Sequence, residues 1–393
     1  MDPRHHRLQR LATGSALLFA CLPLTQLQAQ THAPVNPTPE PGAAVAETIA
    51  KGLEHPWAVA FLPEGRFLVT ERPGRMRIVQ ANGSVNPPLQ GVPEVAAGGQ
   101  GGMLDVITDS DYARNRTLYF CYAEPGPGRT NSTALARARL SADGRSLEQV
   151  RVLFSQKPKF ASSAHFGCRI VERKVAAGKP DGTLFLTLGD RYSRRDDAQT
   201  LDNHHGKIVR IGKDGSVPRD NPFVGKAGAL PEIWSYGHRN VQGATLAPDG
   251  TLWAHEHGPQ GGDEINLPQP GRNYGWPVIT YGKEYSGATI GRGLRKQDGM
   301  EQPLYYWNPS IAPSGMAFVT SERYPGWKGD LMVAALKFQY LARLQVRDGK
   351  VVAEHKLLPD VGERLRDVRQ GPDGWLYLVT DNSDGKLLRV KPR

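Results

Sequence analysis

A chain of 393 residues with 39% hydrophobic content can bury a large core, and its 44 Gly and 31 Pro are spread along its length rather than massed in one tract. That spread excludes a collagen-like or low-complexity chain and points to many short strands joined by turns. The formal charge of +10 comes without a Lys/Arg run, which argues against a nucleic-acid partner.

The N-terminus reads as a secretory signal over residues 1–29. A basic lead (Arg4, Arg7, Arg10) precedes an apolar run from Leu11 to Leu24, and Leu27-Gln28-Ala29 supplies a small-residue cleavage pattern. The run is too short to span a bilayer, and no later stretch is long and apolar enough to do so. Leu18-Phe19-Ala20-Cys21 also resembles a lipobox, so a lipid anchor at Cys21 is the lesser alternative; Phe before the Ala fits it poorly. Either way the rest is expected in the periplasm or outside the cell. Cleavage after Ala29 removes three Arg and one Asp and takes the charge from +10 to +8.

Residues 30–47, rich in Pro and Ala, read as a flexible lead-in to a single folded domain over 48–393. Two cysteines follow the leader, Cys121 and Cys168, both in strand-like segments. An oxidising compartment permits a disulfide, but spacing alone does not say whether they meet.

From there the chain repeats an apolar strand, a turn centred on Asp-Gly or a relative, and a strand that often ends in an acid. Pro63-Glu64-Gly65 leads to Phe67–Glu71, Pro180-Asp181-Gly182 to Leu184 and Asp190, Pro248-Asp249-Gly250 to Leu252 and Glu256, and Pro372-Asp373-Gly374 to Leu376 and Asp381. Looser copies lie at Tyr112 to Phe120 and at Trp327 to Val333. Asp-Gly between alternating apolar residues is a strong hairpin signal, because Gly takes positive φ cheaply. Six such units, spaced roughly 45 to 80 residues apart, predict an all-β, six-bladed β-propeller of four-stranded antiparallel blades. A β-sandwich is the plainer alternative, but it rarely needs six similar units.

The topology sets where chemistry can gather. With the hairpin turns at one face, first-strand starts and second-strand ends share the opposite face. The starts bring Gln100, His165, Arg239, Asn240, Ser314 and Arg366; the ends bring Asp190, Glu256 and Lys337. His165 titrates near neutrality and can take a proton from a hydroxyl. Asp190 ends the second strand of the same blade and can return to fix its tautomer. Arg239 offers a planar fork, and Lys337, Arg364 and Arg366 add cations that suit a ligand with several carboxylates. In the stretch from His255 to Asn266, His255 and His257 alternate, which disfavours zinc. Gly258-Pro259 instead offers exposed carbonyls of the kind that bind Ca²⁺. His204 and His205 read as ordinary loop residues.

These segments together resemble the soluble PQQ-dependent glucose/sorbosone dehydrogenase family, in particular its aldose sugar dehydrogenase branch. The resemblance runs from His55-Pro56-Trp57-Ala58 to the C-terminus. It rests on Gly98-Gly99-Gln100-Gly101-Gly102-Met103-Leu104, His165-Phe166-Gly167, Gly237-His238-Arg239-Asn240, Gly258-Pro259 through Asp263-Glu264-Ile265-Asn266, Asn273-Tyr274-Gly275-Trp276-Pro277, Ile311-Ala312-Pro313-Ser314 and Arg364-Leu365-Arg366-Asp367. It implies oxidation of an aldose at C1 to a lactone, with pyrroloquinoline quinone (PQQ) and Ca²⁺ as cofactors and an external electron acceptor. His165 resembles the general base, Asp190 its orienting carboxylate, and Arg239 the group that polarises the quinone. Gln100, Arg239, Asn240, Lys337, Arg364 and Arg366 resemble the PQQ-binding set, with Asp263 a polar neighbour. The carbonyls of Gly258 and Pro259 resemble Ca²⁺ ligands, and Glu264 and Tyr274 match positions of a further structural Ca²⁺ in some members. Ala164 departs from glucose-oxidising relatives, which carry an acid there. Asn308-Pro309-Ser310 departs in spacing, and the charged loop 191–197 bears on sugar choice or access. A monomer and a homodimer are both compatible with the sequence. Two other functions compete: a metal-dependent hydrolase of the lactonase type, and a non-catalytic ligand-binding propeller.

Overall fold

The computed structural model describes residues 34–40, 42–175 and 178–393, and the signal expected over 1–29 lies outside them. Six sheets, antiparallel apart from one short edge strand on the fifth, follow one another around a central channel. Blade one is Pro56–Phe61, Phe67–Glu71 and Arg75–Val79; blade two is Met103–Thr108, Thr117–Pro125, Asn131–Leu140 and Leu147–Ser155. Blade three is Ile170–Val175, Lys179–Thr187, Lys207–Gly212 and Ile233–Tyr236, and blade four is Val241–Leu246, Leu252–Glu256, Asp263–Asn266 and Tyr305–Trp307. Blade five is Pro313–Phe318, Leu331–Ala335, Leu341–Arg347 and Lys350–Leu357. Blade six is Leu365–Gln370, Leu376–Thr380 and Gly385–Pro392, completed by Ala44–Leu53 from the other end of the chain. That last pairing closes the ring, so no blade is left to splay.

Three details differ from the sequence reading. Blade one has three strands among the described residues. The lead-in expected to be flexible over 30–47 contributes strand: Thr38–Pro39 pairs in parallel with His355 and Lys356, and Ala44 already pairs with Pro392. Pro39 is tolerated there because it lies on an edge, where a missing N–H breaks no ladder. In blade three Asp181-Gly182 is not the hairpin turn but a bulge, since pairing jumps from Lys174↔Pro180 to Glu172↔Leu184.

Apolar faces of neighbouring blades pack on one another. Leu68, Met103, Phe120, Leu135 and Leu186 fill one core across blades one to three, and Leu341, Leu365, Val368 and Leu378 another between blades five and six. Among the described residues, first strands of five blades carry a register shift, and the shifted residues include Trp57, Asp105, Gln242, Ser314 and Arg366. A bulge turns a side chain out of its alternation. Here it turns polar groups toward the channel, whose middle is filled: Arg366 Nη1 donates to Gln242 Oε1 at 3.2 Å, and Arg169 stacks on Trp57 at 4.5 Å. Cys121 and Cys168, left open by the sequence, form a disulfide between blade two and the approach to blade three.

Candidate active site

His165 precedes the first strand of blade three, in left-handed backbone (φ 53°), and its ring is buried. Its Nδ1 lies 2.6 Å from Asp190 Oδ1. Asp190 also accepts the backbone N–H of Tyr192 at 2.8 Å and the indole N–H of Trp276 at 2.8 Å. A carboxylate only accepts, so Nδ1 carries the proton of the neutral ring and Nε2 keeps a lone pair. Burial holds His165 below its ordinary range; the hydrogen bond and charge of Asp190 oppose this, and Arg239 and Arg191 reinforce it. Gly189 permits the couple: a Cβ there would sit 2.1 Å from the His165 carbonyl. His165 lines a cavity of about 210 Å³ with Tyr192, Arg195, Arg239, Pro259, Trp276 and Glu284.

Arg239 is buried, and its Nη1 donates to the carbonyls of His257 at 3.1 Å and Gly258 at 2.9 Å. Its own N–H goes to Glu256, which also accepts from His238 and Asn266. Asn240 is turned to the base loop, with Oδ1 accepting from Gly167 N at 3.1 Å. Gln100 accepts the His165 N–H at 2.8 Å through its side-chain oxygen. Lys337 is exposed at the rim and forms no ion pair among the described residues.

Arg364 and Arg366 meet on one carboxylate that the sequence reading passed over as a site residue. Asp381 Oδ2 accepts from Arg366 at 2.7 Å and Arg364 at 3.5 Å, while Oδ1 is 2.9 Å from His55 Nδ1. Burial alone would raise Asp381, but the charge and hydrogen bond of Arg366 override it and hold the carboxyl far below the usual range.

The expected metal residues fall into two groups. Gly258 N donates to Asp263 Oδ1, and Asp263 also accepts from Ser310, Ile311 and Ala312. Asp263 therefore ties two loops together rather than facing a ligand, and burial pushes it up to about 6. A Cβ on Gly258 would meet the Gly261 carbonyl at 2.2 Å, so this tight loop needs Gly. Glu264 pairs directly across from Glu256, and burial followed by the charge of Glu256 raises it well above the carboxylate range. Tyr274 gives its hydroxyl to the Leu267 carbonyl, leaving its carbonyl as the atom able to bind a metal.

Other expectations are redirected. Ser314 spends its hydroxyl on the Leu365 carbonyl at 2.8 Å, joining blades five and six. His204 and His205 are buried, with His205 Nδ1 2.8 Å from Asp197, so they brace the loop rather than sit in solvent. Trp276 and Arg191, both against the couple, carry no local sequence signal of that role. A larger cavity of about 770 Å³ opens at the opposite mouth against Arg169, Glu172 and Arg369, away from all these groups.

Residues 53–389 match the family model described as Glucose / Sorbosone dehydrogenase. The chain belongs to the glucose/sorbosone dehydrogenase family. The aldose sugar dehydrogenase YliI of Escherichia coli (strain K12) is 45% identical over 356 residues, covering 90% of this chain and 94% of that protein. A crystal structure of a glucose dehydrogenase, 49% identical, covers 88% of this chain and 99% of its own with a TM-score of 0.83. The PQQ-bound form of an aldose sugar dehydrogenase from Streptomyces coelicolor, 28% identical, covers 90% and 99% with a TM-score of 0.72. The matched residues cover every residue of the His165 cavity and all of the propeller except most of the closing strand Ala44–Leu53 and the last residues of its partner.

Proposed function

We propose that this family member oxidises aldose sugars at C1 to lactones, with PQQ as resident cofactor and Ca²⁺ beside it. The carrying observation is the His165–Asp190 couple, set in a cavity beside Arg239. The donor set suits PQQ, a quinone with three carboxylates: Arg239 lines the His165 cavity, Gln100 and Asn240 bond the loop that carries His165, Arg364 and Arg366 share Asp381, and Lys337 follows the Leu336 carbonyl that Arg364 reaches. Lys337 has no carboxylate partner among the described residues, and Asp381 offsets only part of the arginine charge. When bound, PQQ supplies the acceptor for the hydride from C1.

The chain's own part follows from the geometry. His165 Nε2 accepts the proton of the C1 hydroxyl as the hydride leaves, so that carbon loses two electrons and the ring becomes imidazolium. Asp190 holds Nδ1–H and faces that new charge, while Trp276 fixes the carboxylate from its other oxygen. Arg239, held by two carbonyls, presents a fixed cation where negative charge develops on an oxygen.

Oxygen donors in place also suit Ca²⁺. The Pro259 carbonyl accepts no hydrogen bond among the described residues, and the Gly258 carbonyl keeps a lone pair beyond its bond from Arg239. Glu264 and Tyr274 line a second, small space with Glu256. The leader-like N-terminus and the disulfide support a periplasmic or secreted protein that hands electrons to an external acceptor. The hydrolase reading gains nothing from the channel, whose middle is filled by Trp57, Arg169, Gln242 and Arg366. His165→Ala tests the proposal: PQQ binding followed by absorbance is expected to persist while turnover is lost. Full turnover in that variant would overturn it.

A further inference from the structure

Arg191 follows Asp190 directly, and its side chain is wholly buried. Nη2 donates to the Asn131 side-chain oxygen and, at 2.7 Å, to the Ser162 carbonyl. Nε and Nη1, both buried, have no hydrogen-bond partner among the described residues. The guanidinium carbon lies 3.6 Å from the centroid of the Phe166 ring. Arg191 and Tyr192 both adopt left-handed backbone (φ 59° and 67°), so the chain reverses right after Asp190. The reversal sends the Arg191 side chain against the loop that carries the base, and it contacts that loop on both sides of His165, at Ser162 and Phe166. No ion pair with a carboxylate balances the charge among the described residues, and the residue before the base is Ala164. Burying a charge without a counter-ion is costly, and an apolar chain such as Met could fill the space against Phe166.

We propose that Arg191 is a positioning residue: it clamps the His165 loop, and its unbalanced charge beside Asp190 keeps the imidazole free of a proton until substrate offers one. The proposal rests on His165 acting as the base. His165 faces Asp190 and Tyr192 from the same loop as Arg191, and Gln100 from blade two. Arg239 and His257 face it from blade four, and Arg195, paired with Glu284, shares the cavity. Of these, Asp190 favours the imidazolium while Arg239 and Arg191 disfavour it, in addition to burial. Burial pushes Arg191 itself down to about 9, partly offset by Asp190, so it stays charged at neutral pH.

The test uses the full mature protein with Arg191→Met and Arg191→Lys. One readout is the NMR titration of the His165 ring, assigned by its loss in His165→Ala. The other is the pH dependence of kcat/KM with PQQ loaded. Arg191→Met is expected to raise the His165 midpoint and the acidic limb of kcat/KM together, by about one pH unit. Arg191→Lys, which burial also lowers but which is charged at the acidic pH where His165 titrates, is expected to leave both nearly in place. An unmoved midpoint in folded Arg191→Met would overturn the proposal and leave Arg191 a packing residue. A moved midpoint with an unmoved kinetic limb would uphold the electrostatic role and count against His165 as base. Should Arg191→Met not fold, Arg191→Gln, which retains a donor for Ser162, is read the same way; failure of both to fold would overturn the proposal in favour of a purely structural role.

Discussion

Asp190 holds His165 by one oxygen at 2.6 Å and is itself held at the other by the indole of Trp276, 86 residues along the chain, at 2.8 Å. The imidazole is thus oriented by a carboxylate that is fixed from behind. An amide in its place can offer the wrong group to Nδ1. Asp190→Asn is expected to lower kcat roughly 100- to 10,000-fold, with PQQ affinity changed little. Steady-state kinetics beside a cofactor titration checks this; a kcat near wild type would remove Asp190 from the mechanism.

The pH profile follows from the same couple. Burial is the largest influence on His165 and lowers it, with Asp190 opposing. The base is active when neutral, and a lowered affinity keeps it neutral further into acid. The acidic limb of kcat/KM is therefore expected below about 6.5, the ordinary imidazole midpoint. A limb above 7 would mean that the imidazolium is favoured, contrary to this environment.

Asp381 gathers Arg364, Arg366 and His55 at the mouth. Its carboxyl is depressed in the folded protein, so its stabilising effect is complete above about 3.9, the unfolded midpoint, and fades as pH falls below that. Asp381→Ala leaves Arg366 buried without its counter-charge and is expected to cost about 3–5 kcal/mol at neutral pH. Urea unfolding at pH 7 and pH 3 reads both effects: the gap between variant and wild type shrinks at the lower pH.

The Cys121–Cys168 disulfide closes a 47-residue separation and ends three residues beyond the base. Replacing both cysteines by Ala is expected to destabilise the protein by about 2–4 kcal/mol. Both sulfurs are fully buried, so reductant should leave the disulfide of the folded protein intact below the transition and lower the melting temperature, toward that of the double variant, only by acting on unfolded chains. Thermal melts with and without reductant, beside those of the double variant, separate the two.

The propeller was legible because its hairpins repeat a local chemistry, Asp-Gly between apolar strands, that needs no long-range knowledge. The same repeat puts the first-strand starts and second-strand ends that carry His165, Asp190, Arg239 and Arg366 on one face. What stayed hidden depends on pairing across the ring. Asp381 looked like one more acid at a strand end, and its role emerges only when Arg366, turned by a bulge, reaches it. Trp276 and Arg191 sit in irregular loops without periodicity. Asp263, in the family resemblance a polar neighbour of the cofactor, and Ser314, at a first-strand start, have structural tasks that only their neighbouring donors and acceptors reveal. The Asp181-Gly182 turn became a bulge because the hairpin closes a few residues earlier.

The most direct test is reconstitution of residues 30–393 with PQQ and Ca²⁺, assayed with glucose and other aldoses and an artificial dye acceptor. The account predicts dye reduction that requires both sugar and PQQ, falls on chelation and is absent in His165→Ala. PQQ that fails to bind, or binds without any aldose-dependent dye reduction, would contradict it.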